Sequence, residues 1–71
     1  DGLFVFIRTP LRQVLAQIGR WYNCDIDYNG LPDMHFDGEI SRKNALSEVL
    51  QTLELSTNIK FKVEGRRIMI K

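Results

Sequence analysis

Residues 9–18, Thr9-Pro10-Leu11-Arg12-Gln13-Val14-Leu15-Ala16-Gln17-Ile18, recur in outline as residues 44–53, Asn44-Ala45-Leu46-Ser47-Glu48-Val49-Leu50-Gln51-Thr52-Leu53. Leu11, Val14, Leu15 and Ile18 reappear as Leu46, Val49, Leu50 and Leu53, each 35 positions later. Both quartets follow the i, i+3, i+4, i+7 spacing that puts four side chains on one face of an α-helix. Thr9 and Asn44 precede them at the same offset, and both are residue types whose side-chain oxygens cap a helix N-terminus. Pro10 suits the first helical position, where its missing N–H costs nothing. The duplication predicts two amphipathic helices, each flanked on both sides by an extended apolar segment. The chain therefore reads as two β-α-β units of one design, side by side.

The flanks supply the strands. Leu3 to Ile7 is a β-prone run ended by Arg8-Thr9-Pro10. The first helix is expected to reach about Tyr22, weakened near its end by Gly19 and stopped by Asn23. Cys24, Ile26 and Tyr28 then alternate with Asp25 and Asp27, the pattern of a strand with one wet face. Asn29-Gly30-Leu31-Pro32-Asp33 is rich in turn formers and divides the units. Met34, Phe36, Gly38 and Ile40 alternate with His35, Asp37 and Glu39 as a third strand, and Gly38 on its inner side implies a bulge or the close approach of another element. The second helix is expected from Asn44 to near Glu54, followed by polar Ser56-Thr57-Asn58.

The end of the chain is the most closely specified. Ile59, Phe61 and Val63 alternate with Lys60, Lys62 and Glu64, and Gly65-Arg66 suits a two-residue turn with glycine first. That turn places Glu64 opposite Arg67, Val63 opposite Ile68, Lys62 opposite Met69 and Phe61 opposite Ile70. Apolar residues then meet on one face, with a Glu64–Arg67 ion pair expected on the other. A slip of one residue would turn the apolar set outward. The order is β-α-β, β-α-β-β, an α+β class with a C-terminal hairpin strand.

Seventy-one residues make one domain, and a chain of this size buries only about 60% of the surface it exposes when unfolded. A deep catalytic cleft would consume much of such a core. From Asp1 on, no signal peptide is visible, and no apolar run has the about 20 residues that span a membrane. It is expected to be a fragment of a longer chain. Cys24 is alone, so neither an internal disulfide nor a cysteine metal cage can form. The net charge of +1 hides an asymmetry. Residues 1–41 carry three basic and six acidic groups, whereas residues 42–71 carry seven basic and three acidic ones. Such halves can steer a charged partner, although two solvated faces of mixed sign are the simpler reading.

Reactive constellations are sparse. His35, the one histidine, lies on the polar side of a strand with no spacing that brings it a nucleophile or acid. Asp25 with Asp27, and Asp37 with Glu39, share strand faces, but they read as charged edges that resist sticky pairing. Cys24 stays in phase with Ile26 and Tyr28 and reads as a small buried hydrophobe. The glycines are too scattered to cradle phosphate. The element order is also that of an RNA-recognition fold. The third strand, however, lacks that fold's basic opening and paired aromatics, and sets Asp37 and Glu39 where phosphates would pass. No catalytic residue, cofactor, metal or nucleic acid is expected.

Two features point to protein binding. If Phe4 and Phe6 face inward, Leu3, Val5 and Ile7 face outward, and all three are apolar where a one-sided sheet should be polar. Either more of the parent protein or a partner covers that face. At the end of the first helix stands Arg20-Trp21-Tyr22, where Trp21 is expected to pack in the core, three residues after Ile18, and Tyr22 to lie at its boundary. The candidate partner-contacting residues are Leu3, Val5, Ile7 and Tyr22, with Lys60 and Lys62 from the basic half.

The stretch Thr9-Pro10-Leu11-x-x-Val14-Leu15, Arg20-Trp21-Tyr22-Asn23, Ile26-x-Tyr28 and Phe36-x-Gly38 resembles the C-terminal domain of FecR-type anti-sigma regulators. The resemblance continues through Leu46-x-x-Val49-Leu50, Thr57-Asn58-Ile59-Lys60-Phe61, Gly65 and Ile68-x-Ile70, and so covers essentially the whole chain. Val5 and Ile7 depart from it, standing where polar residues are common. That domain is similar in turn to the short N-terminal domain of secretins and TonB-dependent receptors, in which two helices pack between two small sheets. The resemblance implies a periplasmic module of a single-span inner-membrane protein, touching the membrane only through the parent's transmembrane helix. Its partner would be the N-terminal signalling domain of a TonB-dependent outer-membrane receptor. The parent's cytoplasmic domain would hold an extracytoplasmic-function sigma factor controlling uptake genes for iron or another nutrient. A signalling domain of the receptor or of a secretin is the alternative, and an RNA-recognition-like module a more distant one.

Overall fold

Both amphipathic stretches form twelve-residue helices, and each carries the chain from one small sheet to another. The computed structural model describes residues 2–71 in the order β1 (Leu3–Pro10), α1 (Leu11–Tyr22), β2 (Asp25–Ile26), β3 (His35–Ser41), α2 (Leu46–Thr57), β4 (Phe61–Glu64) and β5 (Arg67–Ile70). β1 pairs antiparallel with β3 in a two-stranded sheet. In the second sheet β5 is central, parallel to β2 and antiparallel to β4. The two units are thus interleaved rather than side by side: the first gives β1 to one sheet and β2 to the other, and the second gives β3 to one and β4 with β5 to the other. The helices lie between the sheets, an α+β arrangement without the single four-stranded platform of an RNA-recognition fold.

The core collects Phe4, Phe6, Phe36 and Ile40 from the first sheet, Leu11, Val14, Leu15 and Ile18 from α1, and Val49, Leu50 and Leu53 from α2. Ile59, Phe61 and Ile68 close it from the second sheet. Each such side chain contributes about 1.5–3 kcal/mol relative to exposure. Leu46, the first member of the second quartet, is only partly buried against this cluster.

The helix starts differ from expectation. Thr9 does not cap α1; its hydroxyl accepts from the Ile7 N–H at 3.2 Å. Pro10, with ψ of 135°, is still extended, and the Leu11 N–H donates to the Met34 carbonyl at 2.8 Å. The β1–β3 ladder runs directly into the helix and satisfies a donor that a cap would otherwise serve. α2 opens at Leu46, after Ala45 rather than Asn44. The Ala45 N–H donates to Glu48 Oε1 at 2.9 Å, so the acidic half of a capping box replaces the Asn44 side chain. Both helices end alike, at Asn23 and Asn58 in left-handed conformation (φ 58° and 62°), again 35 positions apart. α2 therefore runs to Thr57, three residues beyond the expected Glu54.

The strand expectations hold in outline, with four changes. β1 extends to Pro10 by way of a bulge, where the register shifts between Phe6 and Thr9. Arg8 adopts φ 47° there, and its N–H donates to Asp37 Oδ1 at 2.7 Å. Gly38 faces this bulge region opposite Phe6, and a β-carbon on it would stand 3.0 Å from the Phe36 ring. Second, the expected strand from Cys24 to Tyr28 shrinks to Asp25–Ile26, because the chain turns at Tyr28, whose carbonyl accepts from the Leu31 N–H at 3.0 Å. Third, β3 starts at His35 rather than Met34 and ends at Ser41. Fourth, the hairpin has the expected register, but its ion pair joins Lys62 to Glu64 at 3.0 Å along one strand face instead of Glu64 to Arg67 across it. Residues two apart on a strand share a face, and Arg66 in the turn donates its Nε–H to the Asn23 carbonyl at 3.1 Å.

Candidate functional site

β1 presents two unused surfaces at once. Its outward side chains Leu3, Val5 and Ile7 are 44%, 53% and 76% exposed, while Phe4 and Phe6 between them are buried. Its far edge is open, since among the described residues β3 is its one neighbour. The hydrogen-bond phase decides which groups that edge offers. The Arg42 N–H donates to the Gly2 carbonyl at 2.8 Å, in register with Leu3 opposite Ser41. Hydrogen-bonded pairs alternate along an antiparallel ladder, so Phe4 and Phe6 aim their backbone groups at β3, and Leu3 and Val5 aim theirs at the open edge. At Ile7 the edge is blocked, because the Thr9 hydroxyl takes its N–H. Two exposed apolar side chains and their unpaired backbone therefore coincide at Leu3 and Val5. Across the same outer face lie the register partners Ser41 and Glu39, with Asp37 beyond.

The other expected contact residues are not brought to this face. Tyr22 is half-buried, and its hydroxyl donates to the Asn44 carbonyl at 2.5 Å. Burial, and then the negative charge of Glu48, push its phenol above the usual value of 10.0. Lys60 and Lys62 lie at β4, across the helices on the other sheet. Lys62 is engaged with Glu64.

Trp21 corrects the sequence reading. It is 52% exposed, not core, because Tyr22, four residues after Ile18 and seven after Leu15, takes the inward position on α1. Its indole N–H donates to the Arg42 carbonyl at 3.2 Å. The Arg42 guanidinium lies 4.8 Å from the Phe4 ring centre and 4.9 Å from that of Trp21. Arg42 carried no motif in the sequence. Its role depends on the end of β3 lying beside the end of α1, a non-local adjacency.

His35 is exposed, opposite Pro10. Cys24 is half-buried, and its thiol donates to the Tyr22 carbonyl at 3.5 Å. Among the described residues no group of three or more His, Cys, Asp or Glu stands where it could hold a metal ion. A notch of about 180 Å³ between Pro10, Leu11 and the Leu31–Met34 turn brings one Arg12 and one Asp33 but no reactive pair. No helix among the described residues is long and apolar enough to cross a membrane.

The model of the family described as FecR, C-terminal, matches residues 3–70. The chain belongs to the FecR C-terminal family. Two crystal structures of a candidate anti-sigma factor from Parabacteroides distasonis ATCC 8503 are similar to this FecR C-terminal domain, each with a TM-score of 0.84. They share 33% and 34% identity with it over 99% and 97% of this chain. The chain spans 34% and 33% of their length, about one third. No curated protein matches it.

Proposed function

We propose that this FecR C-terminal domain is the partner-binding module of an anti-sigma regulator, a domain within a longer, membrane-anchored chain. In this reading it lies in the periplasm and receives the N-terminal signalling domain of a TonB-dependent outer-membrane receptor. The parent's cytoplasmic domain then releases or activates an extracytoplasmic-function sigma factor for nutrient-uptake genes. The module works by binding, without chemistry of its own and without a cofactor. Family membership and the likeness to the Parabacteroides protein support the regulatory role. The observation that carries the docking site is the coincidence at β1 of exposed Leu3 and Val5 with an open strand edge. An extended partner segment added there gains backbone hydrogen bonds, while apolar side chains on its own outer face cover Leu3 and Val5. The usable edge is short because Thr9 closes it at Ile7, which suits a transient signalling contact rather than an obligate one.

Calorimetric titration of the chain with the receptor's signalling domain tests this. Saturable binding is expected, weakened at least about tenfold by Val5→Asp with an unchanged melting curve. Absence of binding with both partners folded contradicts the reading. Unfolding of the complete parent protein by Val5→Asp would show that this face is covered from within.

A further inference from the structure

A second recess opens between the last turn of α1 and the end of β3. It has a volume of about 210 Å³ and is lined by Phe4, Gln17, Arg20, Trp21 and Arg42. Among the described residues two guanidinium groups line it and no carboxylate does. Among the described residues neither arginine forms an ion pair. The Arg42 guanidinium is held between the Phe4 and Trp21 rings, with its Nε–H buried and without an acceptor. Trp21 is fixed in turn by its N–H bond to the Arg42 carbonyl, and its edge-on approach to Phe4 brings the ring centres within 6.2 Å.

We infer that this recess receives a carboxylate side chain, Asp or Glu, from a protein partner. A stacked guanidinium has already lost its rotamer freedom, so forming a bidentate bond to a carboxylate costs little further ordering. Arg20 adds a second positive charge to the lining. The volume is below the about 300–1,000 Å³ typical of small-molecule sites and suits one side chain. An exposed Trp between two arginines is also the composition that dominates binding energy at protein interfaces. Gln17 supplies a neutral amide that can bond the second carboxylate oxygen or the partner's backbone. Phe4, which follows Leu3 on β1, forms part of the lining, so an acidic residue of a partner docked at β1 can also reach the recess. That last link rests on the proposed docking at β1; the anion site itself does not.

The test uses peptides rather than the receptor, so its failure is distinct from failure of the receptor reading. The isotopically labelled chain is titrated with Ac-Gly-Glu-Gly-NH2, with Ac-Gly-Gln-Gly-NH2 and with inorganic phosphate. Trp21 is the one tryptophan, so its indole resonance reports the recess without ambiguity. The glutamate peptide is expected to shift that resonance saturably and the glutamine peptide to leave it unmoved. Arg42→Lys, which keeps the charge but loses the planar fork, should weaken the glutamate effect about tenfold. Arg20→Gln, on the exposed helix surface, should weaken it with the fold intact. Equal shifts from both peptides, no shift at all, or shifts indifferent to Arg20→Gln would overturn the assignment. Tighter saturation by phosphate at the same resonance would overturn the carboxylate in favour of a phosphate ligand.

Discussion

The Tyr22 hydroxyl donates to the Asn44 carbonyl at 2.5 Å, tying the last turn of the first repeat's helix to the residue that enters the second repeat. Asn44, expected to cap α2 with its side chain, instead serves the fold through its backbone. Around this bond lie the Glu48 carboxylate, which raises the Tyr22 phenol together with burial, and Ala45, whose N–H that same carboxylate accepts.

Tyr22→Phe removes one partly buried hydrogen bond and should cost about 1 kcal/mol, read as a fall in Tm of about 4–8 °C for a domain of this size. The pH dependence carries its own sign. A phenol whose folded pKa exceeds its unfolded value of 10.0 binds its proton more tightly in the native state. Its contribution is complete below pH 10 and is lost as pH rises from there through the higher folded value. Alkaline denaturation curves should show this loss in the wild type, and Tyr22→Phe should flatten it.

Gly19→Ala reverses the ordinary rule for helices. Alanine is the better helix former by about 1 kcal/mol. At position 19, however, its β-carbon would stand 2.8 Å from the Cys24 carbonyl oxygen and 3.1 Å from Ile26 Cγ1. Because the nearest atom is backbone, β2 must move, and the variant should lose about 1–3 kcal/mol by urea denaturation. A gain in stability would show that the approach of β2 to α1 is looser than described.

Gly65→Ala isolates conformation from packing. Gly65 holds φ 58° in the hairpin turn, with no described atom beyond its chain neighbours within 4 Å of a notional β-carbon. Backbone strain alone should therefore set its cost, about 1–2 kcal/mol. Gly65→Asn should cost less, since asparagine tolerates this region. The difference between the two variants, measured in one denaturation series, checks the argument.

How far the sequence discloses this molecule depends on the range of the interaction being read. The β4–β5 hairpin register follows from Gly65-Arg66 and the alternation of its neighbours, all within ten residues. The helices follow from a period. The exposed stripe of Leu3, Val5 and Ile7 follows from alternation against Phe4 and Phe6. The interleaving of the two units does not, because β1 joins β3 and β2 joins β5 across long stretches of chain that no local pattern encodes. Trp21 shows the same limit on a helix. Positions three and four after Ile18 both fit an apolar face, and what decides between them is Arg42, which lies 21 residues away in the chain and offers Trp21 a stacking surface at the rim. Gly19 is similar: the sequence marks it as a weakness in α1, whereas the fold uses it as the place where another strand comes close.

The measurement that bears most directly on the central claim is amide hydrogen exchange of Leu3 and Val5, with and without the receptor's N-terminal signalling domain. Their N–H groups face the open edge of β1, so they should exchange quickly in the free chain, far faster than Phe4 and Phe6 within the ladder. Addition of the signalling domain should slow Leu3 and Val5 selectively. Slow exchange in the free chain, or protection on binding that spares both residues and appears elsewhere, would contradict the assignment of β1 as the docking strand.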